Sequence, residues 1–101
     1  GNIICKGNIL TTNIEIGNFN HINLSCTIGH DVQFHDYITV YPGVNISGNV
    51  IMNDCVEVGT GTKIIQGKKI VEETVIGAGS VVVKDIVENG TYIGVPAKQM
   101  K

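Results

Sequence analysis

The densest run of reactive side chains in this chain is the segment GHDVQFHD, which extends from Gly29 to Asp36. It contains His30, whose imidazole could take a proton from an attacking nucleophile. Gly48 follows eighteen residues later, and a glycine N–H could stabilise an oxyanion. Acyl transfer needs both groups in one place. Each also has an ordinary explanation. A surface histidine is usually only solvated, and a glycine at a corner is usually there because it adopts a positive φ without steric cost.

The elements that would position these groups follow from a six-residue repeat. Every sixth residue from Ile4 to Val82 is apolar, and we number the places of each hexad from this anchor. The anchors are Ile4, Leu10, Ile16, Ile22, Ile28, Phe34, Val40, Ile46, Met52, Val58, Ile64, Ile70, Ile76 and Val82. The fifth place is mostly apolar or small: Ile14, Cys26, Val32, Ile38, Val44, Val50, Val56, Thr62, Thr74, Ser80 and Ile86. The repeat predicts short strands with these two places facing inward.

The fourth place of the hexad predicts where the chain turns. It is Gly, Asn or Asp in most hexads: Gly7, Asn13, Asp31, Gly43, Asn49, Gly61, Gly67, Gly79 and Asp85. These residue types tolerate positive φ, so the chain can bend sharply there. Corners every six residues give a three-sided coil of eighteen residues, and the fold is an all-β parallel β-helix of about 4.7 coils. His30 and Gly48 then share a corner on adjacent coils, while the inward Lys68 predicts a distorted corner between Gln66 and Glu73.

Composition excludes several other classes. The formal charge is −2, which gives no broad attraction to nucleic acid or anionic membranes. No apolar run is long enough to span a bilayer, and no signal peptide is recognisable, so we expect a cytoplasmic protein. Cys5, Cys26 and Cys55 are an odd number at no metal-ligand spacing and receive no function.

The runs TIGHDVQFHDYITVYPGVNISGNV, VGTGTKI, VIGAGSVVVKDI and GVPAK resemble the family of sialic acid O-acetyltransferases and bacterial amino-sugar N-acetyltransferases. The resemblance implies a left-handed β-helix, a homotrimer with an active site in each groove between subunits, and acetyl-CoA as the acyl donor. The acceptor would be a hydroxyl or amine of sialic acid or a nucleotide-linked amino sugar. We expect a β-helix domain over residues 1–87, a tail over residues 88–101, and none of the N-terminal sugar-binding domain of this family.

The resemblance also implies roles for the reactive corner. His30 would be the general base of a direct transfer, and Asp31 would support it or the acceptor amine. Gly48 would donate its N–H to the thioester carbonyl, and Asn23 would contact the acceptor. Relatives of the amino-sugar type carry a second histidine nine residues after the first, where this chain has Thr39.

A groove for the acyl donor is implied further along the chain. Gly61, Gly79 and the segment Pro96, Ala97 and Lys98 would line the space that holds pantetheine and the nucleotide of acetyl-CoA. Lys98 would pair with a phosphate.

Two alternatives remain open. His30 and His35 are spaced as in part of the zinc site of the γ-class carbonic anhydrases, which resemble this fold, with a third ligand from a neighbouring chain. The expected third histidine is missing, because His21 falls on another side of the prism. The chain could also be a trimeric scaffold without catalytic activity. The acyltransferase interpretation requires no metal.

Overall fold

The computed structural model describes residues 1–100, and the fold consists of short strands in three sheets. Sheet A contains β1 (Ile3–Ile4), β4 (His21–Ile22), β7 (Thr39–Val40), β10 (Glu57–Val58), β13 (Thr74–Ile76), β15 (Gly90–Ile93) and β16 (Lys98–Gln99). Sheet B contains β2 (Ile9–Leu10), β5 (Thr27–Ile28), β8 (Asn45–Ile46), β11 (Lys63–Ile64) and β14 (Val81–Val82). Sheet C contains β3 (Glu15–Ile16), β6 (Gln33–Phe34), β9 (Ile51–Met52) and β12 (Lys69–Ile70).

Strands β1 to β14 stack in parallel with a fixed register of eighteen residues. Ile22 pairs with Val40, and Val40 pairs with Val58 on the next coil. The ladder continues through the corners, where the Asn49 N–H donates to the His30 carbonyl at 2.8 Å. The predicted eighteen-residue coil is therefore confirmed. No helix capable of spanning a bilayer occurs in residues 1–100.

The corners form at the fourth place of each hexad. Every fourth-place residue from Gly7 to Gly79 has a positive φ, including bulky ones such as Phe19 and Tyr37. Asp85 was predicted to be a corner of the same kind, but it lacks a positive φ. Its Oδ1 instead accepts a hydrogen bond from the Lys69 N–H at 2.9 Å, so this carboxylate closes the last coil.

The core is a single column of inward side chains. Its fully or almost fully buried members are Ile22, Cys26, Ile28, Val32, Phe34, Ile38, Val40, Val44, Ile46, Val50, Met52, Val56, Val58, Ile64, Ile70, Ile76, Val82 and Ile86. Buried hydroxyls at fifth places are satisfied by backbone carbonyls: Thr74 Oγ1 donates to Val71 at 2.8 Å and Ser80 Oγ to Gly77 at 2.7 Å. The buried hydroxyls at inward places thus have hydrogen bonds that compensate for desolvation.

The corner around Lys68 is regular, so the predicted distortion is wrong. Gly67 and Glu73 keep the positive φ of their places, and Lys69 pairs with Ile51 in register. Lys68 itself is half-buried. A long aliphatic stem can lie along the core while its ammonium group reaches water, so one lysine need not deform the coil.

The solenoid continues beyond the boundary predicted at residue 87. Strand β15 pairs in parallel with β13, and β16 then pairs antiparallel with β15. Tyr92 and Ala97 pack against the core, whereas Ile93 and Val95 are exposed. The register of β13 and β15 is sixteen residues instead of eighteen, which is why the six-residue pattern disappears although the coil does not. Sheet A therefore extends past residue 87, and the division into a domain and a tail stays a prediction.

Asn20 provides a test of how the inward face is built. It is 2% exposed, its Nδ2 donates to the His35 carbonyl at 2.9 Å, and its Oδ1 accepts from the Ile38 N–H at 2.8 Å. We expect Asn20→Leu to lower the free energy of unfolding by about 1–3 kcal/mol, because two buried backbone groups lose their partners. Urea denaturation measures the change, with Asn53→Leu on the outer corner surface as the control. An Asn20→Leu variant as stable as the parent would contradict this account.

Candidate active site

The three corners of the prism differ in their side chains. The A–B corner joins sheets A and B and includes Asn23, Gly61 and Gly79. The B–C corner includes His30 and Gly48. The C–A corner closes the coil between sheets C and A. The residues predicted to act in acyl transfer therefore lie on the two corners that flank sheet B.

His30 lies directly against Gly48 on the B–C corner. A Cβ at Gly48 would be 2.5 Å from His30 Nε2 and 2.7 Å from its Cε1. Gly48 is buried, whereas the His30 side chain is 50% exposed. The imidazole thus covers the glycine and presents its other side to solvent, as the eighteen-residue spacing predicted.

The Gly48 amide is held ready to donate. Its carbonyl accepts from the Gly67 N–H at 2.9 Å, whereas no acceptor within residues 1–100 is bonded to its N–H. The equivalent amides on the C–A corner are occupied differently: the Asp36 N–H donates to Asp54 Oδ1 at 2.9 Å. An unoccupied backbone N–H beside an imidazole is the arrangement that stabilises a developing oxyanion.

Gly29 was not singled out from the sequence, yet it shapes this corner. A Cβ at Gly29 would be 2.6 Å from Gly48 N and 2.7 Å from the Ser47 carbonyl carbon. These are backbone atoms of the next coil, which cannot move without breaking the ladder. Glycine at this position is therefore needed for close stacking beneath the Gly48 amide.

Asp31 sets the orientation of the imidazole. Its Oδ2 is 3.1 Å from His30 Nδ1, and the two side chains are about equally exposed at 49% and 50%. An Nδ1–H that donates to this carboxylate leaves Nε2 without a proton, and Nε2 is the nitrogen beside Gly48. In that tautomer, the ring nitrogen nearest Gly48 is the one able to accept a proton.

The predicted donor groove lies along the A–B corner and the upper end of the prism. The Gly79 N–H donates to the Thr60 carbonyl at 2.8 Å, which places Gly79 one coil above Gly61. The tail folds onto the same region. The Val81 N–H donates to the Gly94 carbonyl, and the Ala97 N–H donates to the Val81 carbonyl at 2.8 Å. Gly79 and the Pro96 to Lys98 segment are thus brought together.

Asn23 lies lower on the same corner. Its Oδ1 accepts from the Leu24 N–H at 2.8 Å, and the side chain is half-buried. Its amide NH₂ has no hydrogen-bond partner among residues 1–100. Within one chain, the structure therefore separates Asn23 and the donor groove from His30 by the width of sheet B.

The sequence and the fold of this chain are similar to those of known proteins. No protein-family model matches the sequence. GDP-perosamine N-acetyltransferase from Escherichia coli O157:H7 is 38% identical over 79 residues, which are 78% of this chain and 35% of that protein. Serine acetyltransferase from Bacillus pumilus (strain SAFR-032) is 30% identical over an alignment of 84 residues, which covers 74% of this chain and 38% of that protein.

A solved structure agrees with the same assignment. WeeI from Acinetobacter baumannii AYE has a TM-score of 0.93 at 35% identity, over 97% of this chain and 49% of that chain. The chain belongs to the hexapeptide-repeat acyltransferases. The predicted left-handed β-helix is confirmed. The chain spans between about a third and a half of the length of these relatives.

A comparison with the C–A corner shows why the A–B glycines matter. The fourth place carries Phe19 and Tyr37 there, with φ of 59° and 58° and ring centroids 5.2 Å apart. The same place on the A–B corner holds Gly61 and Gly79, with φ of 73° and 70°. Because the backbone accepts an aromatic residue at this place, positive φ alone does not explain the glycines. Their small size keeps the side of the A–B corner clear.

His35 belongs to the C–A corner, at the other end of strand β6 from His30. It lies beside Asn53, Asp54 and Cys55 in a shallow depression. Within residues 1–100, no group of three or more His, Cys, Asp or Glu side chains is arranged to hold a metal. A single chain therefore does not bring His30 and His35 together as the zinc alternative requires.

The two glycines of the B–C corner should respond differently to an added methyl group. Gly29→Ala would press on the backbone of the next coil, so we expect it to lower the free energy of unfolding by about 1–3 kcal/mol. Gly48→Ala would meet only the imidazole of His30, which can swing outward, so its cost should be smaller. Urea denaturation of both variants measures the difference. Equal destabilisation would show that the His30 ring is fixed by something other than Gly48.

Proposed function

We propose that this chain is the catalytic domain of an acetyl-CoA-dependent acetyltransferase that acts on the amine of a nucleotide-linked amino sugar. The observation that supports the chemistry is the contact of His30 Nε2 with Gly48, whose N–H is free to donate. The relative named GDP-perosamine N-acetyltransferase favours an amino sugar as acceptor. The serine acetyltransferase relative makes a hydroxyl of an amino acid the acceptor to be tested against it.

The proposed reaction is a direct transfer. His30 Nε2 removes a proton from the acceptor amine as its nitrogen attacks the thioester carbonyl carbon of acetyl-CoA. The carbonyl oxygen becomes an oxyanion and accepts the Gly48 N–H. When the carbon–sulfur bond breaks, the thiolate of coenzyme A takes the proton from the imidazolium of His30. Asp31 stabilises that imidazolium through Nδ1.

A complete site requires more than one chain. The donor groove and Asn23 lie on the A–B corner, while His30, Asp31 and Gly48 lie on the B–C corner of the same prism. The packed core fills the space between them. The two corners can meet only if the A–B corner of one copy faces the B–C corner of another. Three copies around a threefold axis beside sheet B satisfy this requirement, and we propose a homotrimer.

The groove is suited to a long, thin donor. Gly61 and Gly79 have no side chain at the fourth place of two successive coils, and open space lies beside both, which leaves room for pantetheine along this corner. The exposed Lys98 follows at the upper end, where its ammonium group would pair with a phosphate of the nucleotide. Pro96 and Ala97 would line the entrance beside it.

His30→Ala should abolish the chemistry and preserve donor binding. We expect turnover to fall about 10²–10⁴-fold, which is the usual contribution of a general base, with the affinity for acetyl-CoA nearly unchanged. Steady-state kinetics with an amino-sugar nucleotide and calorimetry with acetyl-CoA measure the two quantities.

His35→Ala is the matched control for that substitution, because His35 lies on the C–A corner. It should keep full turnover. Hydration of CO₂ by the zinc-loaded parent protein, lost in both variants, would favour the metal alternative. Equal turnover with serine in place of the sugar would contradict the proposed acceptor.

Filling the donor groove should weaken the binding of acetyl-CoA, whereas His30→Ala should leave it nearly unchanged. Tyrosine is compatible with the fourth place, as Tyr37 shows with φ of 58°, so Gly79→Tyr should fold. We expect it to weaken acetyl-CoA binding on the order of tenfold or more, which is about 1.4 kcal/mol, because the phenol ring would occupy the space proposed for pantetheine. Calorimetry measures the change, and Cys55→Tyr on the C–A corner is the control. Unchanged binding by Gly79→Tyr would place the donor elsewhere.

A further inference from the structure

We propose that Cys5 is the reactive thiol of this chain and that it forms mixed disulfides with small disulfides, with His21 as its proton acceptor. The pair lies on the outer surface of sheet A and its adjoining corner, away from His30. Cys5 Sγ is 3.5 Å from His21 Nε2. A thiol within hydrogen-bond reach of an imidazole is the arrangement that activates a cysteine nucleophile.

The backbone holds both partners of this pair in place. The Cys5 N–H donates to the Ile22 carbonyl at 2.9 Å, and the His21 N–H donates to the Ile38 carbonyl at 2.8 Å. The Cys5 carbonyl accepts from Asn8 Nδ2 at 2.9 Å. Neither residue can drift along the chain without breaking the ladder, so the thiol and imidazole are preorganised.

The other two thiols lack such a partner. Cys26 is buried, and burial raises the pKa of its thiol. Its Sγ lies 3.2 Å from the Tyr41 carbonyl oxygen, so the S–H donates into the core. Cys55 is exposed on the C–A corner, and within residues 1–100 its sulfur has no hydrogen-bonded nitrogen. Only Cys5 combines access with an adjacent base.

The small disulfide is the oxidant of this exchange, so no other co-reactant is needed. His21 Nε2 takes the proton from Cys5, and the thiolate attacks one sulfur of the small disulfide. A new sulfur–sulfur bond forms to Cys5, the original one breaks, and the leaving thiolate takes the proton from His21. Cys5 is oxidised and the departing thiol is reduced.

The adduct would stand next to the proposed acceptor contact. Cys5 and Asn23 occupy equivalent places on adjacent coils, because the Cys5 N–H bonds to the residue before Asn23. A mixed disulfide would therefore crowd Asn23. This consequence rests on the proposed function, whereas the thiol chemistry does not.

Two variants separate the accessible thiols. Cys55→Ser leaves Cys5 as the accessible thiol, and Cys5→Ser leaves Cys55, while the buried Cys26 remains in both. We expect the Cys5 thiol to react with 5,5′-dithiobis(2-nitrobenzoate) at pH 7 on the order of tenfold faster than the more exposed Cys55, because general-base assistance is worth at least that factor. Absorbance of the released thiolate gives the rate, and mass spectrometry locates the adduct.

His21→Gln is the decisive substitution. In the Cys55→Ser background it should slow the reaction of Cys5 about tenfold, while in the Cys5→Ser background it should leave the rate of Cys55 unchanged. Thr39→Val, on the next coil of the same face, is the matched control and should leave the rate of Cys5 intact. Thermal unfolding checks that every variant is folded. A Cys5 thiol that reacts no faster than Cys55, or is indifferent to His21→Gln, would overturn the proposal. The assay contains neither acetyl-CoA nor acceptor, so its failure would not bear on the acetyltransferase.

Discussion

The hydrogen-bond ladder between successive coils is the constraint on which the rest of the structure depends. Each coil places a residue against the one eighteen positions later, in the strands and also in the corners. At the B–C corner, the bond from the Asn49 N–H to the His30 carbonyl fixes Gly48 beside the imidazole. The bond from the Gly67 N–H then holds the Gly48 carbonyl. The geometry of the proposed site is therefore a product of coil stacking and needs no dedicated loop.

Much of this arrangement could be predicted because a strict period is visible in one sequence. The inward anchors and the eighteen-residue coil follow from hydrophobic spacing alone, and the contact of His30 with Gly48 follows from the coil. The end of the solenoid could not be found in this way. Strand β15 joins sheet A with a register of sixteen residues, so backbone pairing continues after the side-chain pattern has ended.

Contacts that depend on side-chain direction were the ones that periodicity missed. Cys5 and His21 are sixteen residues apart, so their side chains meet diagonally between coils. Phe19 and Tyr37 stack at places where Gly, Asn or Asp was expected, with backbone φ that costs about 1–2 kcal/mol for residues with a side chain. Ring stacking, worth about 0.5–1.5 kcal/mol, offsets part of that cost. A repeat predicts where a residue lies, but it does not specify the rotamer that lets two side chains touch.

The different side chains of the three corners explain how a uniform backbone can form a specific site. All three corners share the same φ pattern, so their differences come from side chains alone. The B–C corner has an imidazole over a glycine, and the A–B corner has glycine at the fourth place of its two upper coils. The C–A corner is filled with aromatic and acidic groups. A base and a donor groove on two edges of one rigid prism cannot approach each other, because the core between them is fully packed. The same rigidity that positions His30 against Gly48 therefore makes the proposed chemistry dependent on a second copy of the chain.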